Sequence, residues 1–490
     1  MLFSLRHSIR PLLSATALLL VGNLALASSL TSLPSQVQSS LDNARIPANA
    51  MSLAIIPLEG QGVAQFVNAD QVVNPASTMK LVTTYAALEL LGPNYQWRTE
   101  LYGTGPIVGG VLQGDLVYRS GGDPKMTLER LWVLMRELRA AGVREVAGDL
   151  ILVPADLRMP LDAQPFPDDG NDPSRPFLVE PDPLLTNLKL LAVSSYGEAG
   201  GVRIHMEPNL NEVRIDNQLK LLPPVSSCPW PNVTYSIQDQ GYQAQITLTG
   251  ALHEGCSVQR YMSALDASTY TGGTLRSLWT EMGGRINGST RVGRMPGGAR
   301  QLAFSDSPDL VSVVRDINKF SNNTMARQLF LTIGREQRSS VDADDYRAAV
   351  RSINLWLENK GLQPKGLVLE NGSGLSRIER MTARDMSLML EQAWNSPYAA
   401  EFIASMPLAA MDGTMRRRLH NTPLVGQAHI KTGTLRNVRA ISGITRDASG
   451  KSWAVTAIVN HAGSGASREA LDRVLTDVYR RNPSSVATSN

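Results

Sequence analysis

Two strand-forming segments near the start of the chain and three near its end read as parts of one antiparallel sheet, although most of the sequence lies between them. At the start, "NAMSLAIIPLEG" and "GVAQFVNAD" form a hairpin pattern broken at Glu59-Gly60-Gln61-Gly62. At the end, "AHIKTGTL" and "RAISGITRDASGKSWAVTAIVN" supply three strands, with Asp447-Ala448-Ser449-Gly450 as the turn between the second and third. The helix "SREALDRVLTDVYRR" closes the chain, and its Leu471, Val474, Leu475, Val478 stripe is spaced to pack on a sheet. Such a sheet with helices on it is an α+β domain whose halves meet only after a long insertion.

Between the halves, about Trp97 to Arg300, the texture changes. The region is rich in Gly and Pro and carries short β-like runs: "GDLVYRS", "GDLILVP", "VRIHMEP", "NEVRIDN" and "QAQITLTG". "PFPDDGNDPSRPF" reads as a loop or linker. Mainly β modules are therefore expected here. Beyond them, "SPDLVSVVRDINKFSNNTMARQLFLTIG" is helical on either side of a turn at "FSNN". "ERMTARDMSLMLEQAW" is a further amphipathic helix, with Thr382 as N-cap and Asp385 three residues on.

With 490 residues, 43% of them hydrophobic and 19% charged, the chain is a folded protein of two or three domains. Its first 27 residues have a basic start at Arg6 and Arg10, an apolar stretch and the small-x-small site Ala25-Leu26-Ala27, the pattern of a secretory signal cleaved after Ala27. The competing reading, a membrane anchor, needs a longer unbroken apolar run. The polar tail "NPSSVATSN" offers no amphipathic anchor either, so no firm membrane attachment is expected. Cleavage removes two of 47 basic residues and none of 44 acidic ones, leaving a net charge of +1. No basic stretch dominates, so a nucleic-acid partner is not expected; the densest run, "MRRRLH", reads as a solvated helix face. Cys228 and Cys256 read as one disulfide in an exported chain, the alternative being two buried thiols. The six histidines form no H-E-x-x-H pair, and neither a metal nor another cofactor is expected.

The chemistry starts at "NPASTMKLVTT". A serine hydroxyl is a poor nucleophile until a base takes its proton. Ser77 and Lys80, three residues apart at a helix start, share one face and can meet. Lys80 can be that base only if burial or a second cation lowers its pKa. Ser321-Asn322-Asn323 offers, in the turn between two helices, a hydroxyl to relay a proton and an amide, Asn323, to hold a carbonyl. Lys431-Thr432-Gly433-Thr434 lies on a strand and brings a cation, two hydroxyls and a glycine that admits close backbone approach. A substrate strand can pair with that edge. Each motif alone is weak; the order S-x-x-K, S-x-N, K-T-G is the signature set of penicillin-binding proteins and serine β-lactamases.

Over nearly the whole mature length, the chain resembles the class C, low-molecular-mass penicillin-binding proteins, the D-alanyl-D-alanine carboxypeptidase/endopeptidase group of peptidase family S13. The likeness rests on "NPASTMKLVTTYAAL", "GDLVYRSGGDP", "VRDINKFSNNTMARQL", "NGSGLSR", "MDGTMRRRL", "HIKTGTL" and "ISG". The long gap from Ser77 to Ser321 is its most specific part, because related β-lactamases have a far shorter one. The resemblance implies an α+β, transpeptidase-like domain of the serine β-lactamase/DD-peptidase type, split by two mainly β domains, one nested in the other. The implied bounds are 28–96 and 301–482 for the catalytic domain, 97–168 and 251–300 for the outer insert, 169–250 for the nested one, and 483–490 for a tail.

The resemblance also implies roles. Ser77 is acylated by the penultimate D-alanine carbonyl and Lys80 accepts its proton. The N–H groups of Ser77 and Thr434 form the oxyanion hole. Ser321 passes the proton to the leaving group, Asn323 binds the acyl-side amide, and Lys431 keeps the site electropositive. Thr432 and Thr434 bind the substrate carboxylate, and Gly433 lies between them. Peptidoglycan stem peptides and cross-links are the implied partners, β-lactams the implied covalent inhibitors, and the periplasm the implied location. Two positions depart from the family pattern: Asn371 stands where Asp is frequent before "GSGLS", and Val153-Pro154 where an Asp often meets the amino end of a peptidoglycan side chain. Asp156 is the nearest carboxylate, and Arg377 of "GSGLSR" remains to meet a substrate carboxylate. Two rival readings are a β-lactamase, for which "EQAWN" at Glu391–Asn395 faintly resembles a deacylation motif, and an idle β-lactam or peptidoglycan sensor.

Overall fold

The structure is a computed structural model that describes residues 29–60, 62–161, Phe166, Asp172 and 174–481. The expected signal segment with its cleavage site, Gln61 of the first turn, much of the "PFPDDGNDPSRPF" linker and the tail lie outside the described residues. The two chain ends do share one sheet. Its five antiparallel strands run Ala428–Leu435, Val438–Arg446, Ser452–Asn460, Met51–Pro57, Gln65–Val67 across the sheet. Met51–Pro57 and Ser452–Asn460, adjacent in the middle, are buried almost throughout, because helices cover both faces. On one face, Leu53, Ile55, Val455 and Val459 meet Val37 and Leu41 of the helix Ser35–Asn43 and the Leu471, Val474, Leu475, Val478 stripe of Arg468–Tyr479. On the other, Ala54 and Ile458 pack beneath the helix Ala383–Trp394, whose Thr382 cap accepts from the Asp385 N–H at 3.0 Å.

The helix Lys80–Leu91 runs through the middle of the helical layer. Its residues from Lys80 to Leu88 are all buried, against Leu310–Phe320, Asn323–Glu336 and Asp345–Asn359. A helix apolar on every side belongs in such a core. Its fixed position anchors the residues at its N-terminus.

The inserted region carries more helix than the expected β modules. A five-stranded sheet, ordered Thr290–Val292, Leu150–Val153, Leu116–Arg119, Arg98–Gly103, Arg300–Asp306, packs with the helices Leu128–Ala140 and Ala267–Glu281 in one core. Two three-stranded sheets follow: Gly201–Glu207, Leu190–Glu198, Ser257–Ser263, and Val213–Leu222, Ala244–His253, Asn232–Asp239. Cys228 and Cys256 are joined in a disulfide beside them. Ala244–His253 crosses the 250/251 boundary without a break, and Ser257–Ser263 is in register with Leu190–Glu198, so it belongs with the nested sheets. Arg300–Asp306 pairs with Arg98–Gly103, so the insert's sheet runs past 301. The basic run "MRRRLH" is no helix face: it begins at the last residue of a short 3-10 turn, Gly413–Met415, and continues through turn and bend, with Arg418 bonded to Asp472 at 2.6 Å. Among the described residues, no helix is long and apolar enough to cross a membrane, and no cluster of three or more His, Cys, Asp or Glu could hold a metal.

Candidate active site

Pro75 leads into a 3-10 turn, Ala76–Met79, that continues as the helix Lys80–Leu91. Ala76, just before Ser77, sits at φ 48°, a left-handed conformation that costs a residue with a Cβ about 1–3 kcal/mol. Asn74 holds it there: its Oδ1 accepts the Ala76 N–H (2.8 Å), its Nδ2 donates to the Ser376 carbonyl (2.9 Å), and its backbone exchanges bonds with the Asn460 side chain. This turn brings Ser77 Oγ to 3.1 Å from Lys80 Nζ. The ammonium end of Lys80 is otherwise enclosed by two acceptors, Asn323 Oδ1 at 2.6 Å and the Ser373 carbonyl.

"FSNN" builds the next piece. Ser321 ends the helix Leu310–Phe320 in the left-handed region, φ 56°, and Asn322 caps the helix Asn323–Glu336 by accepting the Met325 N–H at 2.9 Å. Asn323 Nδ2 donates to the Phe177 carbonyl of the insert at 3.1 Å, which orients its oxygen toward Lys80 and leaves one further N–H. Lys431, on the strand Ala428–Leu435, donates to Ser321 Oγ at 2.7 Å and to the Thr432 carbonyl at 2.8 Å.

That strand is the sheet's edge. The Ile430 N–H bonds outward to the Pro407 carbonyl, and the Ala428 carbonyl accepts the Ala409 N–H, so even-numbered residues turn their backbone away from the sheet. By the same alternation the N–H of Thr434 and both polar groups of Thr432 face the open edge beside Ser77. The absent side chain of Gly433 lets strand and turn touch, since a Cβ there would lie 2.9 Å from the Pro75 carbonyl and 3.1 Å from the Ala76 methyl. Gly374 does the same from the third side, where a Cβ lies 2.0 Å from the Ala76 carbonyl oxygen.

A cleft of about 850 Å³ opens over this assembly, lined by Ser77, Ser321, Asn323, Thr432, Thr434 and Arg377 among others. Lys80 and Lys431 lie fully buried behind it. Burial pushes the Lys80 amine well below the ordinary lysine range; the Lys431 and Arg327 cations push the same way and the Glu379 anion opposes them. Burial alone brings Lys431 down to about 7. Burial and the neighbouring cations thus bias Lys80 toward the neutral amine. In that form its two N–H bonds go to the acceptor-only partners, and its lone pair is left for the Ser77 hydroxyl.

Asp156 does not line the cleft: its exposed carboxylate faces Arg338 at 3.2 Å, and Arg338 also pairs with Asp345. Arg377 does reach the cleft, stacked 5.0 Å over the Phe166 ring with Nη1 on the Arg436 carbonyl. None of "EQAWN" lines the cleft; it lies on the helix Ala383–Trp394 and the residues after it. Several participants were not singled out in the sequence. Thr414 bonds Thr432 Oγ1 at 2.7 Å, and its neighbour Asp412 pairs with Lys319 at 2.6 Å, so "MDGT" braces both Ser321 and the edge strand. Phe177 and the Ser373 carbonyl act through their backbones, which no side-chain motif marks.

Fold and site together are those of an active-site serine enzyme of the penicillin-binding kind. The family model of the D-Ala-D-Ala carboxypeptidase 3 (S13) family matches residues 33–478, and the chain belongs to that family. It is 29% identical over 411 residues to a D-alanyl-D-alanine carboxypeptidase of Actinomadura sp. (strain R39), covering 80% of this chain and 74% of that one. The crystal structure of penicillin binding protein 4 from Haemophilus influenzae superposes with a TM-score of 0.74 at 21% identity, over 91% of this chain and 99% of that one. A second structure of that protein, complexed with a novel β-lactam, gives 0.69 at 21% identity, over 91% and 100%.

Proposed function

We propose that this chain is an exported, periplasmic DD-peptidase that acts on peptidoglycan through an acyl-enzyme on Ser77. Its substrates are the D-Ala-D-Ala end of stem peptides, D-Ala-diaminopimelate cross-links, or both. The observation that carries the reading is the setting of Lys80, a buried amine 3.1 Å from the Ser77 hydroxyl and otherwise bonded to the Asn323 amide oxygen and the Ser373 carbonyl. In the acylation step Ser77 Oγ attacks the carbonyl carbon of the penultimate D-alanine and its proton passes to Lys80. The oxyanion forms between the N–H groups of Ser77 and Thr434. As the C–N bond breaks, Ser321, held by Lys431, gives its hydroxyl proton to the departing amine. It takes in its place the one that Lys80 accepted, so that Lys80 and Ser321 both return to their starting state. Water then cleaves the ester and restores the Ser77 hydroxyl. Asn323 uses its remaining N–H for the acyl-side carbonyl, and Thr432 and Thr434 take the terminal carboxylate under the Lys431 cation. A β-lactam enters the same way, but its leaving group stays tethered.

The strand pairings favour a catalytic domain of 29–96 and 307–481, an outer insert, and a nested unit of 190–263. Fluorescent penicillin should label the wild type and not Ser77→Ala; labelling that survives the substitution sinks the assignment. Purified muropeptides then separate the activities by product mass, with loss of one D-alanine meaning carboxypeptidase and cleaved dimers meaning endopeptidase. Fast release of penicilloic acid would instead make the enzyme a β-lactamase.

A further inference from the structure

Behind the cleft lies a carboxylate that none of the steps above uses. Glu379 has no exposure, and it follows "NGSGLSR" on a turn that folds back beneath that loop. Its Oε1 accepts the N–H groups of Glu370 (3.2 Å), Asn371 (3.0 Å) and Gly372 (2.8 Å), and its Oε2 that of Gly374 (2.8 Å). Burial raises the proton affinity of the Glu379 carboxyl, the backbone donors oppose that rise by favouring the anion, and together the four bonds fix the loop as a unit. Within the loop, Asn371 Oδ1 takes the Ser373 N–H (3.0 Å) and hydroxyl (2.6 Å), and its Nδ2 donates to the Leu375 carbonyl (3.1 Å). Asn371 thus shapes the turn as a neutral residue, and the buried carboxyl under the loop is that of Glu379. The Ser373 carbonyl, between two of the gripped N–H groups, is the one that Lys80 donates to.

We propose that Glu379 is the positioning residue of the acylation centre: its carboxylate clamps the Glu370–Gly374 backbone, aims the Ser373 carbonyl at Lys80, and places a fixed anion behind the buried lysines. The role rests on Lys80 being the base for Ser77. A loop merely in need of hydrogen bonds is served by any acceptor; a negative charge matters because of what surrounds it. Lys80 faces the region from the helix Lys80–Leu91, Lys431 from the edge strand, and Arg327, paired with Glu180 of the insert, from the helix Asn323–Glu336. Glu370 adds a second negative charge from the loop itself. Of these anions Glu379 alone is buried, Glu180 and Glu370 being at the surface. It moderates the push that burial and two cations exert on the Lys80 amine, so that Lys80 still binds the serine proton after the attack.

The test is the rate of acylation by fluorescent penicillin from about pH 5 to about pH 9, measured for wild type, Ser77→Ala, Glu379→Gln and Glu379→Asp. Gln keeps the shape and the three contacts at Oε1, loses the one to Gly374, and removes the charge. The anion raises the proton affinity of Lys80, so without it the rising limb should move to lower pH. The plateau should fall by on the order of tenfold as the Ser373 carbonyl loosens. Asp keeps the charge one methylene short; its limb should stay at the wild-type position while its plateau falls, and it carries the test alone if the Gln protein does not fold. A Glu379→Gln limb and rate equal to wild type overturns the proposal, as does a Glu379→Asp limb displaced from the wild-type position. A flat wild-type profile, or labelling of Ser77→Ala, overturns the underlying reading of Lys80 and Ser77 and this role with it.

Discussion

Replacing Lys80 by Met separates its chemical role from its structural one. Methionine retains most of the apolar stem and removes the amine. Two acceptors, Asn323 Oδ1 and the Ser373 carbonyl, then lose a buried donor, at about 1–3 kcal/mol each. Relief from burying a lysine beside Lys431 and Arg327 acts in the opposite direction, so the folded protein should survive. The effect on rate has no such offset. A positioned base contributes about 10²- to 10⁴-fold. Among the described residues Lys80 is the only side-chain hydrogen-bond partner of Ser77 Oγ, and Lys431 is committed to Ser321. With no second base in reach, the loss should fall in the upper half of that range, about 4–5 kcal/mol of barrier. The assay is the second-order rate of fluorescent-penicillin labelling, with a thermal melt on the same samples to confirm folding. A folded Lys80→Met protein that labels within tenfold of wild type would refute the argument.

Gly433→Ala places a methyl 2.9 Å from the Pro75 carbonyl and should part Thr434 from Ser77; labelling should drop by about 10²-fold with only modest loss of thermal stability. In the unfolded chain Lys431 stays protonated to about pH 10, whereas folded it releases its proton from about 7. Unfolded protein therefore binds more protons in that window, and wild-type stability should rise there relative to Lys431→Met, by at most about 1.4 kcal/mol per pH unit. Denaturant midpoints of the two proteins at pH values on either side of 8 check the sign. Removing the Cys228–Cys256 disulfide, whose ends are 28 residues apart, should destabilise the nested sheets by about 3–4 kcal/mol and leave labelling intact, measured by limited proteolysis beside the penicillin assay.

Short-range pattern was enough to pick out the side chains that meet at the cleft and the strands of the split sheet. Ser77, Lys80, Ser321, Asn323 and Lys431 are each tied to a local pattern, whether helix start, inter-helix turn or strand, and such patterns follow from short-range periodicity and capping. The split sheet was legible for the same reason, its strands being apolar runs with clear turns. Two helices in the insert stand where mainly β modules are expected. Leu131, Leu134, Met135 and Leu138 carry a readable stripe, but Gly272 and Gly273 weaken the other helix, where glycine meets a close neighbour instead. The bounds of the nested unit depended on which strands pair, and register between distant strands leaves no local trace.

The direction in which side chains and backbone groups point comes from the packing of distant segments against one another. That packing turned Asp156 out to Arg338, set the Phe177 carbonyl on Asn323, and brought Glu379 under a loop whose amides it gathers. It also decided the state of the two lysines. A lysine in a sequence is a cation by default; burial at the meeting of helix, strand and loop is what lowers its proton affinity, and burial is a property of the whole fold.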